Sequence, residues 1–220
     1  MRYAGAVQAD EVSELLRPYL GSEELDEPLL RDILTYIDLL QRWNARTNLT
    51  AVRDPRRIVT RHFGESFFLA RHLLTRDSAE EVIDVGSGPG FPGIPLKLYA
   101  RGIRLSLIES QGKKAIFLRE VVRALGLAAV EVLNVRSESC TAKARLVTLR
   151  AVEKIEKALP AARDLVAEGG RLALLTSRQR FAAAKEALGV QWEVLDVPTA
   201  PDSAAEHGEG GGVLAIYRCG

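Results

Sequence analysis

The 220-residue sequence predicts an α/β fold of the doubly wound, Rossmann-like class: a seven-stranded, mostly parallel sheet preceded by an N-terminal helical extension. Three observations support this prediction. Apolar residues recur at helical spacing up to about residue 75, and short β-type runs alternate with helical segments from about residue 80. A glycine-rich loop follows the first β-type run directly. We therefore expect a helical region over 1–75 and a sheet domain over 76–220.

The helical region contains two clear helix starts. Asp26-Glu27-Pro28 places acids at the positive end of the helix dipole and a proline in the first turn, where it is tolerated. One apolar stripe follows at spacings of three and four residues: Leu29, Ile33, Ile37, Leu40 and Trp43. Asp54-Pro55 opens a further helix, capped by the aspartate, whose apolar residues are Ile58, Val59, Phe63 and Phe67. We expect Trp43 and Phe63 to lie in the core.

The sheet domain contains seven runs with strand character, and crossover helices are expected between most of them. The predicted strands are 82–85, 105–108, 130–135, 146–149, 171–175, 193–197 and 213–217. The clearest crossover helices are 113–125 and 152–166. The last two strands have only the Pro-, Ala-, Glu- and Gly-rich stretch 198–212 between them, so we expect them to form an antiparallel hairpin.

Composition excludes several classes of protein. With 47% hydrophobic residues the chain can bury a sizeable core, and a net charge of +1 does not by itself indicate a nucleic-acid partner. The two cysteines, Cys140 and Cys219, fit a reducing compartment rather than a disulfide framework. We find no long apolar run, no export signal and no cluster of metal ligands. These features favour a cytoplasmic protein without a metal. The sequence does not show the oligomeric state, and we expect a monomer.

The most informative motif is the loop after the first strand, where an acid is followed by glycine at every second position. Asp84, Gly86, Gly88 and Gly90 are in register, a pattern that resembles the first motif of S-adenosylmethionine (SAM)-dependent methyltransferases. A seven-stranded sheet ending in a hairpin is the methyltransferase variant of the doubly wound fold. The motif therefore predicts SAM, with S-adenosylhomocysteine as its product.

Two other interpretations of this loop are weaker. A dinucleotide motif can be traced through Gly88, Gly90 and Gly93. However, Pro89 and Pro92 then stand where a phosphate needs free N–H groups, and proline has none. A glycine turn with a purely structural role is the second alternative.

Other candidate cofactor residues follow the next strands. Glu109 ends the second strand, where a carboxylate can accept hydrogen bonds from ribose hydroxyls, although a helix-capping acid is the alternative. Ser137 and Glu138 follow the third strand, where an adenine ring would lie, or they form a plain turn. Arg150 ends the fourth strand and could hold the cofactor carboxylate, orient a guanine, or pair with a surface acid.

Taken together, the motifs are similar to those of the glucose-inhibited-division protein B family, also called small-subunit rRNA methyltransferase G. The shared pieces are Trp43-Asn44, Asn48-Leu49-Thr50, Arg61-His62-Phe63 with Glu65-Ser66, Asp84 to Gly88 through Pro95-Leu96-Lys97, Glu109-Ser110 with Lys113-Lys114, Phe117-Leu118, Arg136 with Glu138, and Arg150-Ala151. The resemblance implies a cytoplasmic enzyme that uses SAM to methylate N7 of one guanine in the 16S rRNA of the 30S subunit. It also implies these cofactor contacts: Gly86, Phe91, Ser137, Glu138 and Arg150.

Charge is distributed unevenly along the helical region. Eight arginines lie between Arg42 and Arg76 against two acids, whereas the stretch from Asp10 to Asp32 holds eight acids against two arginines. A basic segment of this kind can contact phosphates, although its charges can instead pair with the acidic helix. We take the RNA-contact candidates to be Arg57, Arg61, His62, Lys113 and Lys114, and for His62 a half-buried structural histidine is an equal alternative.

The motifs that are missing also agree with this chemistry. Guanine N7 carries a lone pair and no proton, so its methylation needs orientation rather than a general base. Thr148-Leu149-Arg150-Ala151 stands where an exocyclic-amine methyltransferase would carry Asn-Pro-Pro-Tyr, and orientation by Arg150 is the only catalytic role we predict. The C-terminal third departs from the family, with Thr176-Ser177 where many members carry Lys-Gly. Alternatives therefore include a different RNA or small-molecule target, a non-catalytic SAM-binding assembly factor, and a nicotinamide oxidoreductase.

Overall fold

A single seven-stranded sheet forms the centre of the molecule, in a computed structural model that describes residues 7–150, 155–199 and 211–220. The order across the sheet is β3-β2-β1-β4-β5-β7-β6. The strands are β1 (Glu81–Val85), β2 (Arg104–Ile108), β3 (Val130–Leu133), β4 (Ala144–Arg150), β5 (Val166–Ser177), β6 (Glu193–Asp196) and β7 (Gly212–Arg218). All seven predicted strands are present, and the predicted fold class is confirmed.

Strand direction also follows the prediction. Strands β1 to β5 pair in parallel, whereas β7 is antiparallel to both β5 and β6. The largest difference in length is at β5, which begins five residues earlier than expected because Val166 pairs with Ala144 across a bulge. The carboxyl ends of β1, β2, β3 and β4 therefore meet at one edge, which is where doubly wound folds bind ligands. We call this the carboxyl edge.

Helices cover the sheet and precede it. They are α1 (Ala9–Leu20), α2 (Glu27–Thr47), α3 (Pro55–Arg57), a π-helical segment (Ile58–Gly64), α4 (Glu65–Leu73), α5 (Gly93–Tyr99), α6 (Gly112–Ala124), α7 (Ile155–Asp164) and α8 (Arg178–Leu188). The predicted start of the helix 152–166 and most of the stretch 198–212 lie outside the described residues, as do Ala151 and His207.

The N-terminal helices share a hydrophobic core with the sheet. The predicted stripe of α2 faces inward: Leu29, Ile33, Ile37 and Leu40 are buried, and Trp43 packs against the same cluster. Asp26 caps α2 by accepting a hydrogen bond from the backbone N–H of Leu29. The division at residue 75 remains a prediction, since the helices over 1–75 and one face of the sheet belong to one hydrophobic cluster. In the described parts of the chain, no helix is long and apolar enough to cross a membrane.

Candidate functional site

The glycine-rich loop leaves β1 at the carboxyl edge and enters α5. Gly88 has φ +56°, and a Cβ built on it meets nothing within 4 Å except the carbonyl oxygen of Gly86, at 3.8 Å. Gly90 has φ +100°, and a Cβ there would clash with the Tyr36 hydroxyl and Ile94. The two glycines therefore have different roles. The lack of a Cβ at Gly88 leaves open space next to the loop, and the lack of a Cβ at Gly90 allows the loop to pack closely against Tyr36 and Ile94.

Asp84, which we predicted to contact the cofactor, lies fully buried beneath this loop. One carboxylate oxygen accepts from Thr148 Oγ1 at 2.8 Å, and the other accepts from the backbone N–H of Gly93 at 3.2 Å. Because neither oxygen faces the crevice, we infer that Asp84 supports the loop from within. Burial raises the pKa of its carboxyl from 3.8 to about 6, against the opposing effect of hydrogen bonds from Thr148, Ser87 and Gly93.

The raised pKa of Asp84 predicts a specific pH dependence of stability. The folded protein binds this proton more tightly than the unfolded chain, so the stabilisation is complete below about pH 3.8 and is lost as the pH rises through 6. The measurement is the free energy of unfolding in urea of the wild type and of Asp84→Asn, at pH 5 and at pH 7.5. We expect the difference between wild type and variant to be about 1.4 kcal/mol less in favour of the wild type at pH 7.5 than at pH 5. If the difference in free energy of unfolding were the same at both pH values, the raised pKa of Asp84 would be contradicted.

Glu109 joins the glycine loop to the start of α6. It is 5% exposed, and its Oε2 accepts from the backbone N–H of Gly88 at 2.8 Å. Its Oε1 accepts from the N–H of Gln111 at 2.7 Å, the residue just before α6, so this bond does not cap an N–H group of the helix itself. Each carboxylate oxygen has a second acceptor position, so these bonds leave capacity for two hydroxyl donors. Glu109 thus lies next to the open position above Gly88.

The remaining candidates around this edge are closer to the surface. Ser137 is half-buried and Glu138 exposed, both on a single 3-10 turn (Ser137–Ser139) after β3. Lys113 is exposed and Lys114 half-buried in the first turn of α6. Their roles in binding adenine and RNA remain predictions.

The Phe91 ring lies inside the protein between two other rings. It is stacked on Tyr36 of α2, with centroids 5.0 Å apart, and on His62 of the π-helical segment, at 4.8 Å. Phe63 meets it edge to face at 5.1 Å. Phe91 is 3% exposed, so only its backbone is placed to contact a cofactor. The ring itself attaches the glycine loop to the N-terminal helices.

His62, an RNA-contact candidate, is 5% exposed and has both ring nitrogens occupied. Its Nδ1 lies 2.9 Å from Arg150 Nη1, and its Nε2 lies 3.1 Å from Thr50 Oγ1. Since the guanidinium donates, Nδ1 is the acceptor and Nε2 carries the proton. Burial, followed by the charges of Arg150 and Arg61, holds the pKa of His62 well below 6.5, consistent with a neutral ring. Its side chain is part of the core and is not placed to meet RNA.

Arg150 is directed at the N-terminal helices and pairs with an acid there. Its Nη2 lies 2.8 Å from Glu65 Oε2, and the same nitrogen donates to the carbonyl of Arg61 at 2.7 Å. At the end of the π-helical segment, the N–H of Glu65 bonds to the carbonyl of His62, three residues earlier, and not to that of Arg61, four residues earlier, as it would in an α-helix. Arg150 thus connects the end of β4 to the π-helical segment.

Some arginines of the basic segment form ion pairs with acids of the helical region. Arg56 pairs with Glu11 and Arg76 with Glu23, as the alternative of a paired helix face predicted. Arg61 is exposed and its carbonyl accepts from Arg150, whereas Arg57 is half-buried on α3, directly before the π-helical segment. Arg61 is therefore close to the end of β4 at the carboxyl edge.

Sequence reasoning missed three residues of this site. Tyr36 stands one position before Ile37 in the α2 stripe, and helical periodicity alone would have included it. Thr148 was considered only because it stands where other methyltransferases carry Asn-Pro-Pro-Tyr, yet its hydroxyl donates to the carboxylate of Asp84. Glu65 belongs to the family motif, but it is 85 positions from Arg150 and no local pattern links the two. Among the residues that the structure describes, no group of His, Cys, Asp or Glu side chains could hold a metal ion.

Comparison with known sequences gives a consistent result. A profile of the family described as rRNA small subunit methyltransferase G matches residues 29–199. The ribosomal RNA small subunit methyltransferase G of Stenotrophomonas maltophilia (strain K279a) is 38% identical over 188 residues, which cover 84% of this chain and 86% of that protein. The protein of the same name from Xylella fastidiosa (strain M23) is 46% identical over 129 residues, or 59% of each chain. With the Xylella protein, therefore, the alignment spans less than two thirds of the relative's length.

Solved structures support the fold. A SAM-dependent O-methyltransferase from Thermotoga maritima superposes with a TM-score of 0.59 at 17% identity, over 84% of this chain and 71% of that one. The TYW2 protein of M. jannaschii, solved in complex with AdoMet, gives a TM-score of 0.52 at 17% identity, over 70% and 75%. At these identities the likeness establishes the SAM-dependent methyltransferase fold and nothing more specific.

Proposed function

Because the chain belongs to the rRNA small subunit methyltransferase G family, we propose that it transfers a methyl group from SAM to N7 of a guanine in 16S rRNA. The observation that carries the proposal is the open position above Gly88, next to the buried carboxylate of Glu109, in a chain of this family. The small ribosomal subunit is the proposed partner, and the cytoplasm is the proposed location.

The residues present suit the cofactor. Open space outside Gly88 leaves room for a ligand against the backbone, and Glu109 supplies a carboxylate for ribose hydroxyls. Ser137 and Glu138 lie at the end of the neighbouring strand β3, where we place the adenine ring. Gly86 and the backbone of Phe91 complete the proposed contacts. Pro89 and Pro92 lack the N–H groups that a phosphate in the same loop would need, which supports SAM over a dinucleotide.

The chemistry demands little from titratable side chains. Bound SAM supplies an electrophilic methyl group on a sulfonium. The guanine N7 lone pair needs no deprotonation, so the protein's task is to hold the base in line and to exclude water. The buried, neutral His62 and the engaged Arg150 fit a rigid wall of the crevice better than a proton carrier. Arg150 would then act by positioning the elements around the target base.

Transfer of labelled methyl groups tests the proposed function directly. The substrate should be 30S subunits and 16S rRNA that lack the modification, and the product nucleosides should be separated and identified. We expect 7-methylguanosine. A different methylated nucleoside would indicate another target, and SAM binding without any transfer would indicate a non-catalytic factor. Binding of NAD but not of SAM would refute the cofactor assignment.

Charge reversal in the basic segment should weaken RNA binding selectively. The double variant Arg57→Glu with Arg61→Glu removes two cations beside the crevice, so RNA affinity should fall and the slope of log K against log salt should decrease by about 1 per lost phosphate contact. SAM affinity should not change. The measurement is RNA binding across a salt series, with calorimetry for the cofactor.

A matched control keeps the same change in net charge. Arg145 and Arg218 are exposed at the opposite edge of the sheet from the crevice, at the start of β4 and the end of β7. Reversing both to glutamate should leave the salt slope unchanged. Equal effects of the two double variants would mean that only total charge matters, and would remove Arg57 and Arg61 from the RNA contact.

A further inference from the structure

The back of the glycine loop is held by a residue of α2. The Tyr36 hydroxyl donates a hydrogen bond to the backbone carbonyl of Pro89, which stands between Gly88 and Gly90. Tyr36 is completely buried, and burial together with the charge of Asp84 raises the pKa of its hydroxyl well above 10. The hydroxyl therefore keeps its proton and remains a donor at neutral pH.

The ring of Tyr36 adds a second attachment. It lies nearly parallel to the ring of Phe91, with an interplanar angle of 3°, and His62 covers the other face of Phe91. A Cβ on Gly90 would clash with the Tyr36 hydroxyl, so the loop and this tyrosine are in direct contact. The loop that faces the cofactor is thus held at Pro89 and at Phe91 by side chains from before residue 75.

We propose that Tyr36 is a positioning residue that sets the conformation of the cofactor loop from the N-terminal helices, through its bond to Pro89 and its stack on Phe91. The proposal rests on the proposed function, since it concerns affinity for SAM. A single peptide unit separates the carbonyl of Pro89 from the N–H of Gly88, which bonds to Glu109. A loop released at Pro89 would move the backbone that faces the open position, and with it the partner of the carboxylate.

The consequence is a link between the two halves of the site. The π-helical segment that carries Arg61 also carries His62, and His62 stacks on the same Phe91 ring. RNA bound at Arg61 in the observed arrangement would therefore favour the loop conformation that binds SAM. By linkage, SAM would favour RNA binding by the same factor. Phe91 is the ring that Tyr36 and His62 share in this contact.

The variant Tyr36→Phe tests the role of the hydroxyl and keeps the ring. We expect the Kd for S-adenosylhomocysteine to rise about tenfold, because the Pro89 carbonyl loses its donor inside the protein. The KM for SAM should rise similarly, while kcat at saturating SAM stays within about twofold of wild type. A merely structural role would lower the melting temperature and leave the Kd of the folded protein unchanged, and that result would overturn the proposal.

Tyr99→Phe is the matched control. Tyr99 is also buried, and its hydroxyl also donates to an acceptor of the helical region, the carboxylate of Glu23. It lies at the far end of α5 from the loop, so its variant should lose stability with no change in the Kd. An equal rise in Kd for both variants would contradict a specific role for Tyr36.

Hydrogen exchange on the wild-type protein provides a test that does not depend on a variant. Adding S-adenosylhomocysteine should slow exchange in the loop 86–93 and in the part of α2 around residue 36 together. Protection of the loop without α2 would overturn the proposal. Failure of the wild type to bind S-adenosylhomocysteine at all would instead refute the proposed function, so the two failures are distinguishable.

Discussion

Replacing Gly88 by valine is expected to weaken binding of SAM and S-adenosylhomocysteine by more than about 100-fold while the protein stays folded. A Cβ at this position meets only the Gly86 carbonyl, at 3.8 Å, so the new side chain occupies open space and not the core. That space is where we place the cofactor. The variant also forces valine into a left-handed conformation, which costs roughly 1–2 kcal/mol.

A control separates this backbone strain from the loss of the site. Gly189 ends α8 with φ +59°, close to the +56° of Gly88, and a Cβ there meets nothing within 4 Å. Gly189→Val should therefore lose similar stability and keep wild-type cofactor affinity. Calorimetry measures the cofactor affinity of both variants, and thermal unfolding measures their stability. Unaltered affinity in Gly88→Val would show that the loop does not face the cofactor.

Removing the guanidinium of Arg150 should destabilise the protein by about 2–4 kcal/mol. In Arg150→Met, the carboxylate of Glu65, the Nδ1 of His62 and the carbonyl of Arg61 all lose their donor. The Arg150 side chain is 11% exposed and that of Glu65 24%, so solvent replaces these bonds only in part. Chemical unfolding of the variant measures the loss. A change below about 0.5 kcal/mol, typical of a surface pair, would contradict a structural role.

Two ligands distinguish this role from the predicted grip on the cofactor carboxylate. S-adenosylhomocysteine carries a carboxylate and 5′-methylthioadenosine does not. If Arg150 acts by holding Glu65 and His62 in place, Arg150→Met should lower the affinity for both ligands by the same factor. We expect this result from the observed contacts. Selective loss of S-adenosylhomocysteine binding would mean that Arg150 leaves Glu65 to bind the cofactor. Glu65→Gln, which keeps an acceptor for Arg150, should show a smaller loss of stability.

Most of the fold was predictable because it depends on local patterns. Strand character marked β1 and β2 to within one residue at each end, and the stripe of α2 gave its buried face. No helix was predicted in the sequence between the last two strands, and this indicated their antiparallel pairing. The early start of β5 was not predictable, because Val166 joins the sheet through a partner on β4, and pairing across a bulge leaves no periodic signal.

The site was predictable in outline and not in its contacts. The spacing of Asp84, Gly88 and Glu109 located the carboxyl edge correctly. It did not reveal that Asp84 is directed inward, because burial depends on Thr148 and Gly93 from other parts of the chain. His62 was placed with the RNA contacts on the basis of a neighbouring arginine. Neighbours on a helix face different directions, and only the folded structure shows that His62 faces Phe91.

The π-helical segment Ile58–Gly64 also fixes how many amino acids this stretch can contain. Each residue of an α-helix turns the chain by about 100°, so a single deletion here would rotate everything on one side of the gap relative to the other. The shortened helix would still satisfy its own backbone, and overall helix content would hardly change. Such a deletion would nevertheless point Arg61 and His62 away from Arg150 and Phe91. The length of this turn is therefore itself a sequence determinant, and gaps in it should be rarer among relatives than substitutions.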